Sequence, residues 1–379
     1  MKGKSSFLAF GAIVFIALFL LSLAWAFIVP VRLQADETAH ATNAAGVVRG
    51  QLIVEGKKVI YPDTGSIITE HKVVVPSSYD RVQDGALCLI KKPNNPDSCV
   101  IPIPDASATD VAVFTPAANY PPLYYLLTGW PTLFLDGAKA WLAVRLITSL
   151  VCSLLLTGAI LGLAPIYGKV PALSALALIT PTAFSYNGAI NPAGPEIAAC
   201  FMLAAWLAPL ISLKHASVKR FVIVGISAFF SVLMRPTSAF WVFLIIVLVA
   251  LTLSVEKWRQ LLRFKGFWIG VGIAGFGTTL SVLWYLAARP GDSILGWIDP
   301  SMTMVTMLKV LAKKTPMFWE SIIGNFGWVD NPVPLSLQIL AVILFASIFI
   351  YALRLGNKRE KFVIFLGLIL LPVSAIGIQ

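Results

Sequence analysis

Apolar and polar positions divide this chain into long runs without charge and one polar stretch that follows the first run. Residues 7–29 form that first run. At about 1.5 Å per residue, a helix of this length crosses a hydrocarbon core of about 30 Å. Further charge-poor runs occupy residues 146–164, 170–190, 197–213, 221–234, 236–255, 266–288, 333–353 and 362–379. Together the runs predict an all-α polytopic membrane protein with about nine transmembrane helices. A cleaved signal peptide is the rival for the first run. Its apolar region would be shorter, and Ala24-Trp25-Ala26 imitates a cleavage site only weakly, so a retained anchor is expected.

The stretch 121–135, PPLYYLLTGWPTLFL, is different. It opens on Pro-Pro, breaks at Gly129-Trp130-Pro131, and would reach only about 22 Å as a helix. We expect an interfacial or re-entrant helix with Trp and Tyr at headgroup depth.

Composition agrees with the pattern. Hydrophobic residues make up 58% of the chain and charged residues 12%, with a mean hydropathy of +0.83, which excludes a soluble globular chain. The net charge of +11 does not imply nucleic acid, because the excess sits in short loops: Lys214, Lys219 and Arg220; Lys257, Arg259, Arg263 and Lys265; Arg354, Lys358, Arg359 and Lys361. Such loops are cytoplasmic by the positive-inside rule. Lys2 and Lys4 put the N-terminus on the same side, and the polar stretch lies on the other.

That stretch, residues 31–118, holds ten of the eighteen acidic residues. Turn signals and strand-like pieces at 47–60 and 72–75 predict a small folded layer on the membrane. Cys88 and Cys99 both lie in it, where an oxidising exterior permits a disulfide. The expected organisation is a first helix (1–30), an extracytoplasmic loop domain (31–118), and a bundle (119–288) with its interfacial helix. A second extracytoplasmic segment (289–332) and a C-terminal hairpin (333–379) follow. Met304 to Lys314 in the second segment has helical apolar spacing, and Lys313 and Lys314 suit a solvated face better than a phosphate site.

No phosphate-binding Gly loop, dinucleotide fingerprint, nucleophile elbow or zinc-protease stretch occurs. The candidates are polar groups where helices meet the outside. Asp36, Glu37 and His40 follow the first helix. As a helix, Asp36 and His40 share a face at i and i+4, and the two carboxylates could supply a general base. An acidic first helical turn is the ordinary alternative. Arg145 and Arg235 could hold a phosphate through the guanidinium fork, or simply reach for the interface. Asn191 and Glu196 could line a polar cavity, or mark a turn and a helix start.

Taken together, Asp36-Glu37-x-x-His40, Tyr120-Pro-Pro-Leu-Tyr-Tyr125, Arg145-Leu, Asn191-Pro, Arg235-Pro and Gly324-Asn-Phe-Gly-Trp328 resemble the bacterial membrane proteins grouped as domain of unknown function 2142. That family in turn resembles the type-C glycosyltransferases, notably the protein O-mannosyltransferases. The resemblance implies a helical bundle of that type in the bacterial cytoplasmic membrane, with a polyprenyl-phosphate-linked sugar as donor and an envelope glycan or protein as acceptor. Asp36 would be the base, Glu37 its neighbour, and Arg145 a contact to the donor phosphate. No covalently bound cofactor is implied, and a divalent cation has no residue pattern behind it. Two departures stand out: Ala193 follows Asn191-Pro192 where relatives often carry an acid, and relatives continue past Gln379, so the last hairpin is expected to be cut short. The alternatives are a transporter or flippase of a lipid-linked glycan, and a noncatalytic component of an envelope polysaccharide complex.

Overall fold

The computed structural model describes residues 2–60, 67–80, 88, 96–100, 102–103, 109–288, 303–327 and 331–377. The first apolar run becomes α1 (Lys2–Ile28), a helix of 27 residues. It stops just before Pro30, which disfavours helical backbone in the residue ahead of it. A turn leads into α2 (Glu37–Val47), buried along its whole length. Its Ala39, Ala41, Ala44 and Ala45 keep α2 slim enough to lie under a sheet.

That sheet is antiparallel, in the order β1 (Gly56–Ile60), β2 (Ile67–Pro76), β3 (Asp110–Thr115). Val73 pairs with Val113 and Val75 with Val111. Val73, Val75 and Val113 are buried against Ala41, Ala45 and Trp141, while Val74 and Phe114 face outward, the period-2 alternation of a sheet covered on one side. Tyr79 stacks on Trp141 at 5.9 Å, and burial pushes its hydroxyl pKa up, so the ring stays neutral. The strand expected over 47–60 is shorter: Val47 ends α2, whose alanines favour helix, and Gly50, at φ 83°, turns the chain before β1. Cys88 and Cys99 form a disulfide, with Cα atoms 5.5 Å apart.

The stretch 121–135, expected as an interfacial or re-entrant helix, folds as α3 (Leu123–Thr128) and a 3-10 turn, Trp130–Leu133. Arg49 fastens this turn to α2, donating to Thr132 O at 2.7 Å and to Ala45 O at 2.9 Å. The bundle then runs through α4 (Gly137–Tyr167), α5 (Lys169–Ser174), α6 (Pro181–Asn187), α7 (Ala193–Leu207), α8 (Val218–Val232), α9 (Ser238–Thr252), α10 (Val255–Arg263) and α11 (Lys265–Ala288). Within the second polar segment lie α12 (Met304–Gly324) and the short pair β4 (Asn325–Phe326) and β5 (Asn331–Pro332); α13 (Leu335–Leu355) and α14 (Lys358–Gly377) follow. Trp328 lies outside the described residues.

Among the described residues, five helices are long and apolar enough to cross a membrane: Ser5–Ile28, Gly137–Tyr167, Ala193–Ser212, Lys265–Ala288 and Leu335–Leu355. Ser238–Thr252 with Val255–Arg263 makes a sixth if that pair, bent by 117°, counts as one span. The run 170–190 does not form one helix. It breaks before Pro181 into Lys169–Leu178 and Pro181–Asn187, because a proline disfavours helical backbone in the residue ahead of it and cannot donate to a helical ladder.

Contacts along the bundle define two ends. Lys169 Nζ donates to Ser6 Oγ at 3.2 Å, while a Cβ on Gly188 would come within 2.6 Å of Ala26 N. The broken 169–187 stretch therefore runs alongside α1 from one end to the other. At the end near Ser6, Arg220 donates to Gly162 O, Lys257 to Ile211 O and Arg359 to Leu253 O. At the opposite end, Trp284 Nε1 reaches Asn119 O in the loop layer. The basic loops thus gather at one end and the sheet with α2 covers the other. Helices α8 and α11 cross closely where Gly225 meets the Gly270 carbonyl, since small residues let membrane helices approach.

Candidate functional site

The turn between α1 and α2 is pinned from inside by Glu37 and Arg145. Arg145 projects from α4 and donates from Nε to Glu37 Oε1 and from Nη2 to Glu37 Oε2, both at 2.6 Å. Its remaining bonds go to Ala26 O, Val29 O and Pro30 O, where α1 ends. Glu37 also accepts from Arg32 N at 3.0 Å and Ile190 N at 3.1 Å. Both side chains are almost wholly buried. A planar fork on a carboxylate, with the spare donors on carbonyls, satisfies the charges that burial would otherwise penalise.

Asp36 and Glu37 therefore do not present the side-by-side carboxylate pair drawn from their adjacency. Glu37 is turned inward, whereas Asp36 is exposed. Asp36 has φ 60°, ψ −1°, the left-handed region, at the N-cap of α2. Non-glycine residues seldom adopt it, although aspartate does so more readily than most. Its carbonyl accepts His40 N at 3.0 Å, and the preceding carbonyl, Ala35 O, accepts Asn191 Nδ2 at 3.5 Å. Asn191 Oδ1 in turn takes Ala193 N at 2.9 Å. Asn191 is buried and works on the backbone beside Asp36, in the turn that starts α7.

A second group centres on Arg235, between α8 and α9. Its Nη1 pairs with Glu196 Oε2 at 3.3 Å, and about a third of the Arg235 side chain remains accessible. Glu196 sits in the first turn of α7, where a carboxylate complements the helix dipole. It also accepts Ser238 Oγ at 2.6 Å, and Ser238 Oγ accepts Arg235 N at 2.9 Å. Glu196 thus supplies an acid near the position where Ala193 stands.

Aromatic side chains join the groups. The Arg235 guanidinium lies 5.9 Å from the Tyr120 ring, and His40 meets the same ring edge-on at 5.1 Å. His40 Nδ1 and the Tyr125 hydroxyl are 2.8 Å apart; burial holds the Tyr125 pKa well above the ordinary phenol value, so the tyrosine keeps its proton. Asp36, Arg235 and Tyr120 all lie within electrostatic range of the Tyr186 hydroxyl. Asp36, Tyr120, Tyr186 and Arg235 are each at least partly accessible, and His40, Tyr125, Glu196 and Ser238 back them.

The folded site thus brings together Asp36, His40, Asn191, Glu196 and Arg235, and gives Glu37 and Arg145 to a buried brace. Arg145, expected at a donor phosphate, has its guanidinium committed to Glu37 and to three carbonyls. Sequence reasoning passed over Tyr186 and Ser238. The only hints were their settings, Ser185-Tyr186-Asn187-Gly188 before a turn and Arg235-Pro236-Thr237-Ser238 at a helix start.

A family model described as a predicted membrane protein, domain of unknown function 2142, matches residues 19–377, and the chain belongs to that family. No curated protein and no solved structure matches it.

Proposed function

We propose that this member of the domain of unknown function 2142 family transfers a sugar from a polyprenyl-phosphate-linked donor to an acceptor on the loop-layer side of a bacterial cytoplasmic membrane, with a bundle of the type-C glycosyltransferase kind. The reading rests on an exposed carboxylate, Asp36, and a partly accessible guanidinium, Arg235, which both act electrostatically on one tyrosine, Tyr186. A base and an anion-binding cation are what an inverting displacement at a sugar phosphate requires.

In this reading the donor's lipid lies among the helices and its phosphate faces Arg235. Asp36 takes the proton of the acceptor hydroxyl as that oxygen attacks the anomeric carbon. The bond from that carbon to the phosphate oxygen breaks, polyprenyl phosphate leaves with the electron pair, and the configuration inverts. Glu37 and Arg145 are positioning residues that hold the turn carrying Asp36. The loop layer, which carries the Cys88–Cys99 disulfide, is the lid.

The test is transfer of a labelled lipid-linked sugar in proteoliposomes. The wild-type chain should yield a glycosylated acceptor and free polyprenyl phosphate, and Asp36→Asn should yield neither while unfolding at the same temperature. Product formation by Asp36→Asn at the wild-type rate would sink the reading.

A further inference from the structure

At the basic end of the bundle, an apolar groove of about 430 Å³ opens between the last turn of α9 and the α13–α14 hairpin. Leu248, Val249 and Thr252 line one wall; Leu355, Val363 and Ile364 line the other. Glu360 is its carboxylate, and Glu360 Oε2 accepts Asn357 N at 2.8 Å, closing the first turn of α14.

Two cations are fixed at the rim through backbone carbonyls. Lys257 Nζ donates to Ile211 O, itself part of the lining, and Arg359 Nη1 donates to Leu253 O at 2.7 Å, one residue beyond Thr252. Around them the sequence places eleven basic residues in the segments 214–220, 257–265 and 354–361, against Glu256 and Glu360. Helix α10 turns 117° away from α9 and lies across this end. It buries Leu261 beside Phe221 and packs Trp258 against them, and leaves Val255, Leu262 and Arg259 exposed. An exposed face mixing apolar residues with a cation suits the headgroup boundary of a bilayer.

We propose that this groove binds one acyl chain of an anionic phospholipid, with its phosphate held by Lys257 and Arg359. An apolar trough ending at two anchored cations matches a molecule with an apolar chain and an anionic head. The surrounding positive charge selects an anionic over a zwitterionic head. The site is separate from the Asp36 site: Ser238, bonded to Glu196, begins α9, and Thr252 ends it about 21 Å away. The proposal therefore does not depend on the glycosyltransferase reading.

Native mass spectrometry of the full chain in detergent tests it, with phosphatidylglycerol or phosphatidylcholine added. Phosphatidylglycerol should leave a one-to-one adduct that phosphatidylcholine does not. Lys257→Gln with Arg359→Gln should weaken that adduct about 30-fold, as expected for two basic contacts near a lipid head. Val363→Trp, which fills the groove without touching the cations, should remove it, and Lys313→Gln, on the second polar segment, should not. Equal retention of both lipids, or an adduct that survives Val363→Trp, would overturn the proposal.

Discussion

Arg145 holds Glu37 through two parallel 2.6 Å contacts and ties the pair to the last carbonyls of α1. One buried fork thus joins α1, α2, α4 and the Ile190 turn. Removing one member of a buried pair strands the other, at a cost of about 3 to 5 kcal/mol. Glu37→Gln and Arg145→Ala should therefore both lower the unfolding temperature in detergent by several degrees. Arg145→Lys should recover little, because an ammonium cannot reproduce the fork. If either single variant melts with the wild type, the brace is not structural.

Asp36 lies in left-handed backbone, which costs a non-glycine residue roughly 1 to 2 kcal/mol. Glycine adopts it freely. Asp36→Gly should therefore be at least as stable as Asp36→Ala in thermal melts, while both lose sugar transfer. Loss of transfer in both variants without a loss of stability in Asp36→Gly is the signature of a residue kept for chemistry.

Arg235 should govern the donor rather than the fold. On the proposed mechanism, Arg235→Gln lowers kcat/KM for the lipid-linked sugar by about 10²-fold, the scale on which one charge-stabilising donor acts. Glu196→Gln should have a smaller effect, because Ser238 can still bond to the amide. Steady-state kinetics in proteoliposomes separate the two.

Cys88 and Cys99 should resist maleimide labelling in folded protein until a reductant is added. Cys99→Ser should destabilise the loop layer by about 2 to 4 kcal/mol, read as earlier proteolytic cleavage within residues 31–118 than in the wild type.

A side chain at position 188 has no space. A Cβ there would meet Ala26 N at 2.6 Å and Ser22 O at 2.7 Å, both backbone. Gly188→Ala should push α6 from α1 and cost about 1 to 3 kcal/mol, measurable as a fall in unfolding temperature.

The sequence by itself determined that the chain is a membrane protein, because uncharged runs of about 20 residues have no other stable setting. It also determined where the polar layer lies, since the loop's acids, turn residues and paired cysteines are local signals. The break in the stretch 121–135 and the disulfide were legible for the same reason. The division of 170–190 into pieces was only half legible, because hydropathy does not weigh proline. What Asp36 and Glu37 do was decided by tertiary structure. Neighbours in sequence, they part because one left-handed residue at the head of α2 leaves Asp36 accessible and turns Glu37 toward Arg145, 108 positions away. The same long-range packing took Arg145 out of solvent and left Arg235 partly open beside Tyr120 and Tyr186. A carboxylate or a guanidinium reads identically in sequence whether it braces the core or faces a substrate, and only burial and partners distinguish the two.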